Sequence, residues 1–211
     1  MEYSAVIVAA GSGSRMHLGY NKAYYRMQDG RTILDHTLDV FRNDPDCRQI
    51  VVVTDSVMFR DNIEQTGKIT LAAGGGSRQE SVYHGLMAVL CDTVFIHDGA
   101  RPFLSTECLE DLKKAMEKEQ AACLMVPCKD TIKHVEDDYI VETYERSTLR
   151  CAQTPQAFHT ELILWCMQKA AQEDYTGTDD CSLVERYSDV KIRAVAGSYE
   201  NYKITTPEDL R

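Results

Sequence analysis

The chain has 211 residues, 44% hydrophobic and 27% charged, and its 23 Lys and Arg against 33 Asp and Glu give a formal net charge of −10. Those values suit a globular protein able to bury its own core and argue against wholesale disorder. So acidic a chain is a poor general binder of nucleic acid or anionic membrane, yet a few local cations can still hold a small polyanion.

At the N-terminus, Met1-Glu2-Tyr3-Ser4 has no basic segment, and the apolar run 5–10 is too short for a signal or a membrane span. The run reads as a first strand and the chain as a cytoplasmic protein. Residues 32–43 then place Ile33, Leu34, Leu38 and Phe41 on one helical face. Strand-like pieces follow at 50–54 and 69–73. A helical pattern over 78–91 carries Val82, Leu86, Val89 and Leu90. Next come a strand over 93–97, a helix over 106–119 behind Ser105 as N-cap, and a strand over 122–126. Thr160 is expected to cap another helix, and 190–196 reads as the last strand. Apolar strands alternating with amphipathic helices predict an α/β fold with a mostly parallel central sheet. Residues 129–150 break the rhythm with two β-prone pieces around Glu136-Asp137-Asp138, the mark of an inserted β-hairpin arm. That arm is either a solvated excursion or a contact with a partner subunit. With no repeat or linker, 1–211 reads as a single domain.

The eight cysteines (Cys47, Cys91, Cys108, Cys123, Cys128, Cys151, Cys166, Cys181) are scattered without a C-x-x-C, as expected of reduced, mostly buried thiols. None of the six histidines stands at metal-ligand spacing, which argues against a dedicated transition-metal site.

Gly11-Ser12-Gly13-Ser14-Arg15-Met16 follows the first strand directly, where α/β folds bind ligands. The dinucleotide fingerprint fails because Met16 stands where its third glycine belongs. The P-loop fails because the only Gly-Lys pair, Gly67-Lys68, is followed by Ile69. No G-x-S-x-G is present. Small residues followed by Arg15 and Lys22 suit a phosphate cradle, and equally a tight turn with two solvated cations.

The pattern Ala9-Ala10-Gly11-x-Gly13-x-Arg15-Met16 with Lys22 resembles the signature of sugar-nucleotide pyrophosphorylases and cytidylyltransferases. Gly74-Gly75-Gly76-Ser77-Arg78-Gln79-Glu80-Ser81-Val82, His97-Asp98-Gly99-Ala100-Arg101-Pro102, Thr154-Pro155-Gln156-Ala157-Phe158 and Asn201-Tyr202-Lys203-Ile204-Thr205-Thr206-Pro207-Glu208-Asp209-Leu210 resemble blocks of the 2-C-methyl-D-erythritol 4-phosphate cytidylyltransferases. Together these blocks span essentially the whole chain. The resemblance implies a Rossmann-like nucleotide-diphospho-sugar transferase fold and a homodimer joined through β-arms. It further implies CMP transfer from CTP to 2-C-methyl-D-erythritol 4-phosphate in the non-mevalonate isoprenoid pathway, with release of pyrophosphate and with Mg²⁺ or another divalent cation accompanying CTP.

Carried over block by block, the resemblance makes Arg15 and Lys22 stabilisers of the transition state. It has Lys203 position the acceptor and Arg146, at the end of the arm, reach the acceptor phosphate in the partner's site. Ala9, Ala10, Gly11, Gly75, Gly76 and Ser81 would hold CTP, with Arg78 anchoring that loop. Asp98 would bind ribose or the metal, unless it merely caps the next turn. Arg101, Thr131 and Thr154 match acceptor or arm positions. Asp179-Asp180 resembles a family turn, which helix capping explains equally well. Outside its motif, each cation is also compatible with a surface ion pair.

Three departures stand out. Asn21 precedes the lysine where family members usually have proline, Ala23-Tyr24-Tyr25 follows where Gln and an aromatic are common, and Gly76 takes a place often filled by Asp. Without proline to set the approach, a more mobile loop is expected. Two alternatives follow: a ribitol 5-phosphate cytidylyltransferase sharing these motifs, and a non-catalytic nucleotide-binding module of the same fold. Retention of Arg15, Lys22 and Lys203 argues against the second. Relatives usually continue beyond Arg211 into a terminal helix.

Overall fold

The computed structural model describes residues 1–11 and 19–210. Strand β1 (Tyr3–Val8) pairs in parallel with β2 (Cys47–Val53) and β4 (Thr93–Asp98), and β2 pairs in parallel with β3 (Ile69–Ala72). β5 (Ala121–Pro127) pairs in parallel with β9 (Arg193–Ala196) at the far edge. Between the two parallel groups lies β8 (Arg150–His159), antiparallel to both β4 and β5, completing the order β3-β2-β1-β4-β8-β5-β9. β8 has no counterpart in the sequence reading, because Gln153, Thr154, Pro155 and Gln156 hide a strand whose residues 153–158 are all buried.

Both faces of the sheet are covered, which is why the strands are almost continuously apolar. Alternation along β1 assigns the sides. Tyr3, Ala5 and Ile7 pack toward Leu34, Leu38 and Phe41 of α1 (Ile33–Asn43) and Leu109 and Leu112 of α4 (Thr106–Met116). Val6 packs oppositely, with Val82 and Leu86 of α3 (Arg78–Leu86), Ile163 and Met167 of α5 (Thr160–Gln172) and Leu183 of α6 (Asp180–Tyr187). A short α2 (Ser56–Asn62) links β2 to β3.

Several boundaries differ from expectation. The helix expected over 78–91 ends at Leu86, and Leu90 is 82% exposed, so the last apolar positions of that pattern do not extend the buried stripe. Ser105 does cap α4, accepting the Cys108 N–H at 3.2 Å. Thr160 is not a cap: it is the first residue of α5, and its hydroxyl donates to the Cys91 carbonyl at 2.7 Å. The last strand begins at Arg193 instead of 190, α2 was not anticipated, and α6 follows the capping reading of Asp179-Asp180.

The hairpin forms as expected. β6 (Lys133–Glu136) and β7 (Tyr139–Thr143) make a separate two-stranded ladder around Asp137 and Asp138, whose φ of 46° and 67° give the left-handed turn that matches strand twist. Its apolar side chains stay outside the core: Val135, Tyr139, Ile140, Val141 and Tyr144 are all exposed. Among the described residues no helix is long and apolar enough to cross a membrane.

Candidate active site

The carboxyl ends of β1 and β4 open into a cavity of about 580 Å³, lined by Val8–Gly11, Asn21–Ala23, Gly75–Arg78, Ser81, Asp98–Ala100 and Lys203. Two glycines bring its walls together. A Cβ on Gly99 would stand 2.9 Å from that of Ala9, and one on Gly74 would collide with Ala10, so both loops approach the end of β1 only because side chains are missing there.

Asp98 is the charged centre. Its carboxylate, 9% exposed, accepts from Lys203 Nζ at 3.0 Å, Arg78 Nε at 3.3 Å and Arg101 Nε at 3.4 Å. Burial disfavours its charge, but the cations of Arg78, Lys203 and Arg101 outweigh burial and hold it well below the usual carboxylate range. Arg78 is held in turn by Asp180, in the first turn of α6, through two bonds of 3.0 and 2.9 Å. Burial works against the Arg78 charge, and the two carboxylates more than restore it. Burial pushes the Asp180 carboxyl up and Arg78 draws it back. Of the Asp179-Asp180 pair, Asp179 supplies the helix cap, its carboxylate accepting the Ser182 N–H at 2.9 Å, and Asp180 supplies the ion pair. No local spacing could have shown the second role, because Arg78 and Asp180 are 102 residues apart.

Beneath Asp98 runs a buried hydrogen-bond chain. The Asp98 N–H donates to the Thr154 hydroxyl at 3.1 Å, so that hydroxyl donates to His97 Nδ1 at 2.9 Å, and His97 Nε2 donates to the Arg101 carbonyl at 3.2 Å. Asn201 Nδ2 donates to the Thr154 carbonyl at 2.8 Å, while Arg101 holds the Asn201 carbonyl at 2.7 Å. Thr154 is thus a buried support of Asp98, and Arg101 ties the loop after β4 to the segment carrying Lys203. Burial pushes His97 down from 6.5 to about 4. The unfolded chain therefore takes up a proton between those values that the folded chain refuses. Stability is complete above pH 6.5 and falls as pH drops toward 4, by about 3 kcal/mol from this group. Urea melts across pH 7.5 to 4.5 should show that slope in the native chain and a shallower one in His97→Gln; parallel profiles would contradict it.

Lys22 opens a 3-10 turn, Lys22–Tyr24, whose other two residues are buried. Tyr24 OH meets Thr54 Oγ1 at 2.5 Å. Without proline, Asn21 restrains the approach to Lys22 by other means. Its φ of −65° is the value proline would impose, its side chain caps the turn by accepting the Ala23 N–H at 3.0 Å, and Asn21 Nδ2 donates to the Ala9 carbonyl. Asparagine thus replaces ring constraint with hydrogen bonds.

The remaining nucleotide candidates form the opposite wall. The Gly75 N–H donates to Ser81 Oγ at 3.0 Å, Ser81 donates to the Ser77 carbonyl at 2.8 Å, and the Gly76 N–H donates to Glu80 Oε2 at 2.6 Å.

The family model for IspD, 2-C-methyl-D-erythritol 4-phosphate cytidylyltransferase, matches residues 3–211. The chain belongs to this cytidylyltransferase family. The family's enzyme from Halalkalibacterium halodurans is 45% identical over 221 residues, covering 100% of this chain and 94% of that protein. Among solved structures, the cytidylyltransferase of Francisella tularensis is 31% identical with a TM-score of 0.87, covering 100% of this chain and 97% of that one. The 4-diphosphocytidyl-2C-methyl-D-erythritol synthase of Anaerococcus prevotii is 33% identical with a TM-score of 0.86, covering 99% and 94%. The fold is therefore the nucleotide-diphospho-sugar transferase fold of the IspD cytidylyltransferases.

Of the residues the cytidylyltransferase blocks pointed to, Lys22 and Lys203 line one cavity with Ala9, Ala10, Gly11, Gly75, Gly76, Ser81 and Asp98. Arg15 lies outside the described residues. Thr131 and Arg146 are exposed on the arm and do not line the cavity; Arg146 donates to the Lys129 carbonyl at 3.1 Å.

Proposed function

We propose that this chain transfers CMP from CTP to 2-C-methyl-D-erythritol 4-phosphate, releasing pyrophosphate and forming 4-diphosphocytidyl-2-C-methyl-D-erythritol for isoprenoid synthesis. The observation that carries the reading is the placement of Lys22, Arg78 and Lys203 around one cavity at the strand ends of a cytidylyltransferase chain, despite a net charge of −10. Both reactants are anions, so the protein's task is to neutralise and align them. An ionised oxygen of the acceptor phosphate attacks the α-phosphorus of CTP in line. A new P–O bond forms, the bond from the α-phosphorus to the β-bridging oxygen breaks, and pyrophosphate departs with that electron pair. Neither a protein nucleophile nor a general base is needed.

Lys22 and Arg15 stabilise the α-phosphate and leaving group, and Lys203 positions the acceptor phosphate. Ala9, Ala10 and Gly11 meet the ribose and base through the backbone, and the backbone carbonyls around Gly75 and Gly76 read the cytosine edge, with Ser81 and Glu80 shaping that loop by holding its amides. Arg101 and Thr154 serve the acceptor side by holding Asp98 and the Lys203 segment.

Among the described residues no three His, Cys, Asp or Glu side chains converge as a metal cluster, and Asp98 is the one carboxylate lining the cavity. That set fits a hard cation taking most of its ligands from substrate phosphates and water, with Asp98 as its protein ligand. Such a cation, normally Mg²⁺, supplies charge neutralisation on the triphosphate. The chain acts as one catalytic domain, 1–211, in the cytoplasm.

The arm completes the site in a homodimer. Its exposed Tyr139, Ile140 and Val141 suit burial against a second copy, and Arg146 and Thr131 then serve the partner's acceptor phosphate. An arginine fork suits a terminal phosphate. Arg146→Ala should raise the acceptor KM about tenfold or more and leave CTP affinity unchanged; the reverse pattern in steady-state kinetics would contradict this placement.

The deciding assay is pyrophosphate release from CTP and Mg²⁺ with each polyol phosphate. Release with methylerythritol phosphate is expected. Release with ribitol 5-phosphate alone would move the chain to that activity. CTP binding with no release from any acceptor would make it a binding module.

A further inference from the structure

Away from the cavity, two nucleophilic side chains meet at the root of the arm. Cys128 follows the end of β5, and Cys151 is the second residue of β8. Cys151 pairs with Val126, and the Cys128 N–H donates to the Leu149 carbonyl at 3.4 Å, so the two cysteines are diagonal neighbours across an antiparallel ladder. Their sulfurs lie 3.2 Å apart. Cys151 is exposed and Cys128 half-buried, whereas Cys47, Cys108, Cys123, Cys166 and Cys181 are buried. The thiols are free and mostly buried as expected, yet strand pairing brings together Cys128 and Cys151, which are 23 residues apart in sequence, and a second contact, Cys123 with Cys181, is buried.

We propose that Cys128 and Cys151 form a site of reversible oxidation by small-molecule disulfides, closing an intrachain disulfide across the neck of the arm. The Cys128 thiolate attacks one sulfur of the oxidant R–S–S–R. A mixed disulfide forms and one thiolate RS⁻ leaves. The Cys151 thiolate then attacks the Cys128 sulfur, and the second RS⁻ leaves. Two electrons pass to the oxidant, and the two cysteine protons end on the two released thiols. The second step is intramolecular between sulfurs already in contact, which favours the bond over two separate adducts. The hydrogen bond with Cys128 pushes the Cys151 thiol up.

The neck is also where the arm is tied to the body. Arg146 donates to the Lys129 carbonyl at 3.1 Å, the Lys129 ammonium sits 3.7 Å over the Tyr199 ring, and Tyr199 OH donates to the Pro127 carbonyl at 2.6 Å. Tyr199 lies four residues before Lys203. A covalent bond beside Lys129 fixes the angle at which the arm leaves the sheet. Its effect on turnover rests on the acceptor role proposed above for Arg146; the oxidation itself does not.

The test treats the full chain with oxidised glutathione, alkylates the remaining thiols and maps the peptides by fragmentation mass spectrometry. The expected result is a Cys128–Cys151 link, reversed by a dithiol reductant. Cys151→Ser should leave a single glutathione adduct on Cys128, and Cys91→Ser should leave the link unchanged. Free alkylation of both thiols, a separate adduct on each, or a link between chains would overturn the site. Oxidation should change the acceptor KM about threefold or more in the native chain and not in Cys151→Ser, with CTP affinity steady. A mapped link with an unchanged acceptor KM would sustain the oxidation site and overturn the connection to the acceptor.

Discussion

Arg78→Met should destabilise the folded chain by about 3 kcal/mol and abolish measurable pyrophosphate release. Removing one partner from a buried ion pair leaves a charge with no compensation, which costs about 3–5 kcal/mol. The low end applies because a third of the Arg78 side chain is exposed, so water can partly replace it. Asp98 would keep Lys203 and Arg101, so the orphaned charge is that of Asp180, whose side chain is 2% exposed. Asp180→Asn added to Arg78→Met removes that charge and should recover half or more of the lost stability without recovering activity. Urea unfolding of the native chain, both single variants and the double variant checks the cycle. A double variant no more stable than Arg78→Met would show that Asp180 was not what the arginine compensates.

Lys22→Ala should lower kcat by about 10²- to 10³-fold while weakening CTP binding much less. Its ammonium is proposed to meet charge that grows as the bond to the leaving pyrophosphate breaks, and removing one such preorganised group typically costs about 3–4 kcal/mol of transition-state stabilisation. The position is preorganised because the buried Ala23 and Tyr24, with the Asn21 cap, seat the turn before substrate arrives. Single-turnover kinetics beside calorimetric CTP titration separates the two effects. Equal losses in rate and affinity would make Lys22 a ground-state binder.

Much of this was legible in the chain because it is local. Short continuous apolar runs placed β1 and β4, and period-3.6 patterns placed α1 and α4, close to their observed positions, since burial of both faces of a strand or one face of a helix is written within a single element. The cations came with their motifs: Lys22 and Lys203 line one cavity although 181 positions separate them. Among the described residues lining the cavity, Lys22, Arg78 and Lys203 stand with one carboxylate, Asp98; Asp98 and Asp180 already engage Arg78, so in this −10 chain the two lysines are the cations placed to meet a polyanion.

The rest depended on which strands became neighbours. β8 lies antiparallel between β4 and β5, and its polar, proline-containing stretch acquires a role only under Asp98, where Thr154 bonds both His97 and the Asp98 amide. The Arg78–Asp180 pair and the Cys128–Cys151 contact are likewise products of strand order and pairing. Asn21 shows the same limit at short range: the missing family proline pointed to a mobile approach to Lys22, and only the structure shows the Asn21 side chain reaching the Ala9 carbonyl just past β1. Composition and periodicity determined an acidic α/β protein, and the resemblance of its motifs to the cytidylyltransferases pointed to a few of its cations. Only the tertiary structure decided which carboxylates restrain those cations, because a hydrogen bond between distant residues exists only once the sheet order has brought them within bonding distance.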